Sequence, residues 1–151
     1  MSNLDVAISI AVEAHRGQRD KGGRPYILHP LRLMFRFEAE EEMIVAVLHD
    51  VVEDCDIEYE DLERLGFSRA VVDAIKCLTR EEGESYEDFI CRASSNDLAR
   101  KVKREDVMDN LDVKRLSDIG EKDLQRIERY HHALKVLNGI IVPLDPVNKN
   151  I

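Results

Sequence analysis

The segment MIVAVLHDVVED, residues 43–54, places the strongest limit on the fold. Met43 to Leu48 are apolar in unbroken succession, a run suited to the interior of a packed protein. Four of the next six residues are nevertheless ionisable: His49, Asp50, Glu53 and Asp54. Burying a charge costs several kcal/mol unless it is paired or bound to a metal. The segment therefore predicts a core element that carries a compensated polar cluster.

The surrounding pattern predicts an all-α architecture. Asn3 is suited to cap LDVAISIAVEAH, where Leu4, Ala7, Ile8, Ala11 and Val12 recur at helical spacing and Gly17 marks the end. A loop containing Gly22, Gly23 and Pro25 follows, and Pro30 places His29 at the start of a helix over HPLRLMFRF. The third predicted helix is EEEMIVAVLHDVVED, read as one continuous element, with a short helix over Asp61 to Leu65 before Gly66. Ser68, Ser85 and Asn96 or Asp97 are set to cap the next three helices. The amphipathic KDLQRIERYHHALKVL closes the pattern. The strand-like IIV before Pro143 stands alone, because no segment alternates with period two between turns.

At 151 residues, with no Pro/Gly/Ser-rich linker or internal repeat, the sequence reads as a single domain spanning 1–151. Its 44% hydrophobic and 35% charged residues fit a globular protein. A net charge of −9 argues against a nucleic-acid binder, which needs excess Lys and Arg for the phosphate backbone. One local exception is HRGQRDKGGR, in which Arg16, Arg19, Lys21 and Arg24 face a single acid, Asp20; it suits either a small polyanion or plain solvent. The start of the chain lacks a basic segment and cleavage site, and no apolar run reaches the roughly 18 residues of a bilayer span, so a cytoplasmic protein without membrane contact is expected. Cys55, Cys77 and Cys91, odd in number and not in CxxC spacing, read as reduced and mostly buried thiols. Oligomeric state is open, and a homo-oligomer is compatible with the sequence.

On a helix turning about 100° per residue, His49 and Glu53 are i and i+4, as are Asp50 and Asp54, forming one polar stripe. Lys103, Asp106 and Asn110 repeat the arrangement at i, i+3 and i+7, and His29 offers a further group from another element. Imidazole mixed with carboxylate favours Mn²⁺, Fe²⁺ or Zn²⁺, although a satisfied core network without metal has the same spacing.

LHDVVED, preceded by GRPYILHP and followed by KREDVMDN, resembles the HD superfamily of metal-dependent phosphohydrolases. More narrowly, the chain is similar to RelA/SpoT-type hydrolase domains, which remove pyrophosphate from the 3′ position of (p)ppGpp, and in particular to small stand-alone forms. The resemblance runs from AHRGQ to KVKREDVMDNLD and implies an HD-domain helical bundle with a bound divalent metal, taken as Mn²⁺. By motif position it implies His29, His49, Asp50 and Asp106 as metal ligands and Glu53 and Asp54 as the catalytic pair acting on water. It also implies Lys103 and Asn110 as substrate contacts; Arg19 and Lys21 are candidates from the basic loop. The substrate would be a small nucleotide. Tyr26 is expected to pack beneath the loop, His15 to anchor the first helix or edge the site, and His131 and His132 to face solvent.

Two departures bear on the substrate. Asp20 stands where the family pattern RKSGEPY has Arg, and Asp109 replaces the His of DRLHN. They leave room for another nucleotide phosphate, for a phosphatase of nucleoside monophosphates, or for a nucleotide sensor without turnover.

Overall fold

The computed structural model describes residues 3–140, which are helical with no strand among them; residues Arg19 and Pro25 make one isolated antiparallel bridge. The elements are α1 (Leu4–Ala14), α2 (Leu28–Met34), α3 (Glu40–Leu48), α4 (Val51–Asp54), α5 (Tyr59–Arg64), α6 (Arg69–Cys77), α7 (Tyr86–Ser94), α8 (Asp97–Asn110), a 3₁₀ turn (Val113–Arg115) and α9 (Glu121–Leu137). The all-α expectation holds. Most of the IIV segment lies outside the described residues.

Local chemistry places the helix starts. Asn3, Ser68, Ser85 and Asn96 each accept a backbone N–H three residues on, from Val6, Val71, Asp88 and Ala99. Each such cap is worth about 1 kcal/mol. Gly17 ends the turn after α1 at φ +79°, a left-handed conformation that glycine adopts without strain.

Helix α3 is the axle of the fold. Ile44 to Leu48 are all buried, and α3 packs against α1, α2, α6 and α8. Ala7 and Ala11 of α1, Leu33 of α2, Val72 and Ile75 of α6 and Val102 of α8 share its core. A smaller cluster, Ile90, Val107, Ala133, Val136 and Leu137, fastens α9 to α7 and α8. No helix among the described residues is long and apolar enough to cross a membrane.

One expectation fails at the centre. The run Glu40 to Asp54 is two helices, broken at His49 and Asp50. The carbonyl of Ala46, which Asp50 N–H would engage in an unbroken helix, is met by His49 Nδ1 at 2.7 Å. Asp50 carries φ −106° and ψ −1°, and the next turn starts from its carbonyl, which accepts Asp54 N–H at 3.0 Å. The side chains are therefore not one straight i, i+4 stripe. His49 and Asp50 occupy the joint, whereas Glu53 and Asp54 ride on α4. The cysteines also differ from expectation: all three are only partly buried thiols, with no disulfide among the described residues.

Candidate metal centre and phosphate pocket

Three elements meet where α3 breaks. Helix α2 brings His29 in its first turn, where Pro30 costs no helical hydrogen bond; the joint brings His49 and Asp50; α8 brings Asp106. His29 Nε2 is 2.9 Å from Asp106 Oδ1, and the two imidazole rings lie with centroids 5.3 Å apart. His49 Nε2 is 2.9 Å from Asp50 Oδ2 and 3.7 Å from Asp106 Oδ1. One donor atom each from His29, His49 and Asp50 falls within 4.8 Å of the others.

The chemistry of these donors calls for a positive charge among them. Because His49 Nδ1 faces a carbonyl, it is the protonated nitrogen, and a neutral ring turns the lone pair of Nε2 toward carboxylate oxygens. Consistently, buried His49 Nε2 has no well-oriented hydrogen-bond partner despite its proximity to Asp50. Lone pairs converging from nitrogen and oxygen repel unless a proton or a cation sits between them. Without metal the proton serves. Burial works against imidazolium at His49, but the negative charges of Asp50 and Asp106 outweigh it and raise its pKa well above the ordinary value. Burial is likewise outweighed at His29 by hydrogen bonds to Asp106 and Asp109. At Asp106 burial is overcome by Lys103 and both imidazoles, holding the carboxyl well below its usual range. A divalent cation fits the same place and the same donors.

The other predicted residues surround this centre. Lys103 Nζ donates to Asp106 Oδ2 at 2.8 Å and sits 4.7 Å above the Phe89 ring; Asn110 Nδ2 donates to Asp106 Oδ1 at 3.1 Å. Glu53 and Asp54 are exposed on α4 within electrostatic reach of Asp50, and Asp54 lines a separate groove with Gln18 and Cys55. Partial burial and the charge of Asp50 raise both carboxyls above their ordinary values, with Asp54 adding to the rise at Glu53. Such carboxylates are better proton acceptors than a free side chain.

Beside the centre lies a cavity of about 310 Å³, lined by His29, Asn110 and Tyr26 on the side of that centre. Arg19 and Lys21 enter it from the loop, with Arg32, Arg115 and Arg126 from farther along the chain and only Asp20 and Asp112 as acids. This is a basic hollow in an acidic protein. Partial burial and nearby Arg126 lower the pKa of Lys21, outweighing Asp123, which raises it.

No family model matches the chain. Relatives are found among guanosine-3′,5′-bis(diphosphate) 3′-pyrophosphohydrolases. The Aquifex aeolicus protein is 30% identical over 117 residues, 70% of this chain and 17% of its own length. That of Vibrio cholerae is 34% identical over 83 residues, 52% of this chain and 12% of its own. The Escherichia coli bifunctional (p)ppGpp synthase/hydrolase SpoT is 30% identical over 92 residues, 58% of this chain and 13% of its own. The chain belongs to the RelA/SpoT-type HD-domain family. It spans less than a fifth of the length of these relatives. Its fold matches a solved structure described as a metazoan ortholog of SpoT that hydrolyzes ppGpp and plays a role in starvation responses, with TM-score 0.77 and 24% identity, covering 93% of this chain and 88% of that one.

The HD domain also recruits residues that sequence reasoning placed elsewhere or missed. Tyr26 packs between the His15 and His29 rings, as a residue beneath the loop would, but its hydroxyl also donates to Asp50 Oδ2. Arg32, Arg115, Arg126 and Tyr130 line the cavity without a motif to announce them. Asp109 turns out to be a buried partner of His29. Asp20 accepts the N–H of Arg24 at 2.9 Å and so shapes its loop as well as facing the cavity. His15 closes α1, bonded through Nδ1 to Gln18 at 2.8 Å, and His131 and His132 are exposed.

Proposed function

We propose that this HD domain is a Mn²⁺-dependent phosphohydrolase that removes pyrophosphate from the 3′ position of (p)ppGpp or a closely related nucleotide. The observation that carries the proposal is the juxtaposition of an imidazole–carboxylate donor set and a basic hollow of about 310 Å³, which meet at His29. The names of the relatives point the same way.

In this reading His29, His49, Asp50 and Asp106 hold the metal, and borderline-hard nitrogen and oxygen donors suit Mn²⁺. The cation would supply Lewis-acid polarisation of the phosphoryl group and a more acidic water. Glu53 accepts the proton of the attacking water, with partial burial and the charges of Asp50 and Asp54 keeping its pKa elevated. Lys103, fixed by Asp106 and Phe89, presents its ammonium to a phosphate oxygen. Arg19 and Lys21 bind the remaining phosphates, and Asn110 donates to the nucleotide. The crowded cations of the hollow favour a ligand with several negative charges over a nucleoside monophosphate.

The test is a nucleotide panel incubated with Mn²⁺-loaded protein, with products identified by mass. Pyrophosphate together with GDP or GTP from (p)ppGpp is the expected outcome. Orthophosphate from nucleoside monophosphates would replace the proposal with a phosphatase, and binding without any product would replace it with a sensor.

A further inference from the structure

We propose that Asp109 is a positioning residue for the metal centre: it holds the His29 ring with Nε2 turned toward Asp106 and His49, and three arginines hold Asp109. The inference rests on the metal reading above and assigns a role to a residue outside the ligand set.

Asp109 lies three residues beyond Asp106 on α8 and is 1% exposed. Its shortest side-chain contact is Oδ2 to His29 Nδ1 at 2.6 Å. Arg32 donates to both of its oxygens at 3.0 Å, Arg36 Nη2 to Oδ1 at 3.0 Å, and Arg115 Nη1 to Oδ2 at 3.3 Å. Arg115 Nη2 reaches its backbone carbonyl as well, at 2.6 Å.

Guanidinium groups stay charged, so a carboxylate among three of them stays an acceptor. The nitrogen facing it must then be the donor. That assigns the proton to His29 Nδ1 and turns the lone pair of Nε2 inward when a metal binds. A charge cluster serving only to fasten α2 to α8 would need the arginines and no histidine. Here the imidazole takes the shortest bond, from a ring whose other nitrogen is 2.9 Å from Asp106. Because Arg32 and Arg115 also line the cavity, the same carboxylate sets where two of its cations stand. Loss of an outer partner of a metal-bound histidine typically costs about 10–100-fold in metal affinity.

The experiment is Mn²⁺ titration, read by the spin resonance of the free ion, on wild type and Asp109→Asn. A near-isosteric amide cannot accept from the arginines and His29 alike, so the dissociation constant should rise about 10–100-fold. Arg92→Met is the control. It breaks the bonds of Arg92 to Glu84 and to the carbonyls of Lys76 and Thr79, away from α2, and should lower the melting temperature while leaving Mn²⁺ affinity at the wild-type value. Should Asp109→Asn not fold, nitrogen-15 correlation spectra of Zn²⁺-loaded wild type must show His29 protonated at Nδ1 and coordinated through Nε2. Undiminished Mn²⁺ affinity in Asp109→Asn, an equal loss in Arg92→Met, or the opposite His29 tautomer overturns the inference while leaving the metal reading intact. Wild-type protein that binds no Mn²⁺ overturns both.

Discussion

Replacing Lys103 by Met separates what this side chain does for the fold from what it does for the substrate. Its ammonium is almost enclosed, 2.8 Å from Asp106 and 4.7 Å over Phe89. A hydrogen bond between charged groups contributes about 1.5–3 kcal/mol net. The ammonium over the ring adds about 0.5–1 kcal/mol. Methionine keeps the apolar stem and recovers about 0.3–1 kcal/mol against Phe89. Asp106 keeps His29 and Asn110 as partners, so the penalty stays below that of stranding a lone buried charge. The net loss is about 1–4 kcal/mol, which at this chain length lowers the melting temperature by about 2–15 °C. Saturating Mn²⁺ supplies a positive charge to the same carboxylate and should narrow that gap. Turnover should not recover with it. Loss of one charge-assisted phosphate contact leaves kcat/KM for (p)ppGpp down about 10–100-fold with metal bound. Thermal melts in EDTA and in Mn²⁺, with steady-state kinetics on the same preparations, check both halves. A Lys103→Met protein that melts with wild type in EDTA refutes the structural estimate, and one with wild-type kcat/KM in Mn²⁺ refutes the phosphate contact.

Three further outcomes are expected. Glu53→Gln should retain Mn²⁺ affinity and lower kcat by about 10²-fold or more, as removal of a general base does; metal loss in this variant would make Glu53 a ligand instead. Asp20→Asn keeps an oxygen for the N–H of Arg24 but removes a negative charge from the hollow, so KM for (p)ppGpp should fall at low salt and the gain should shrink at high salt; an unchanged KM would show that Asp20 only shapes its loop. In EDTA, His29 and His49 have raised folded-state pKa values, so the stability their protonation contributes is complete below the unfolded value of about 6.5 and is lost as pH rises through the elevated folded values. Melting temperature in EDTA should therefore fall from pH 6 toward pH 8.5 while the increment from Mn²⁺ grows, and a rise over that range in EDTA would contradict the assignment.

What the sequence determined was local. Asn3, Ser68, Ser85 and Asn96 announce their helices because a cap is a bond between residues three apart, and the apolar run at Met43 to Leu48 announces its burial. His29, His49, Asp50 and Asp106 could be named as a set because their motif positions match those of the HD hydrolases; residue type and spacing alone left a metal-free polar network open. Tertiary structure decided the rest. The break at His49 depends on a side chain competing for a helix carbonyl, which periodicity does not register. Asp109 reads as a mere departure from a motif until folding brings it to His29, 80 positions away, with Arg32 from the same helix as His29, Arg36 from just beyond its end and Arg115 from the 3₁₀ turn. Burial makes such a contact strong, and burial depends on which helices meet, so a carboxylate that spacing alone would leave in solvent becomes a fixed part of the site.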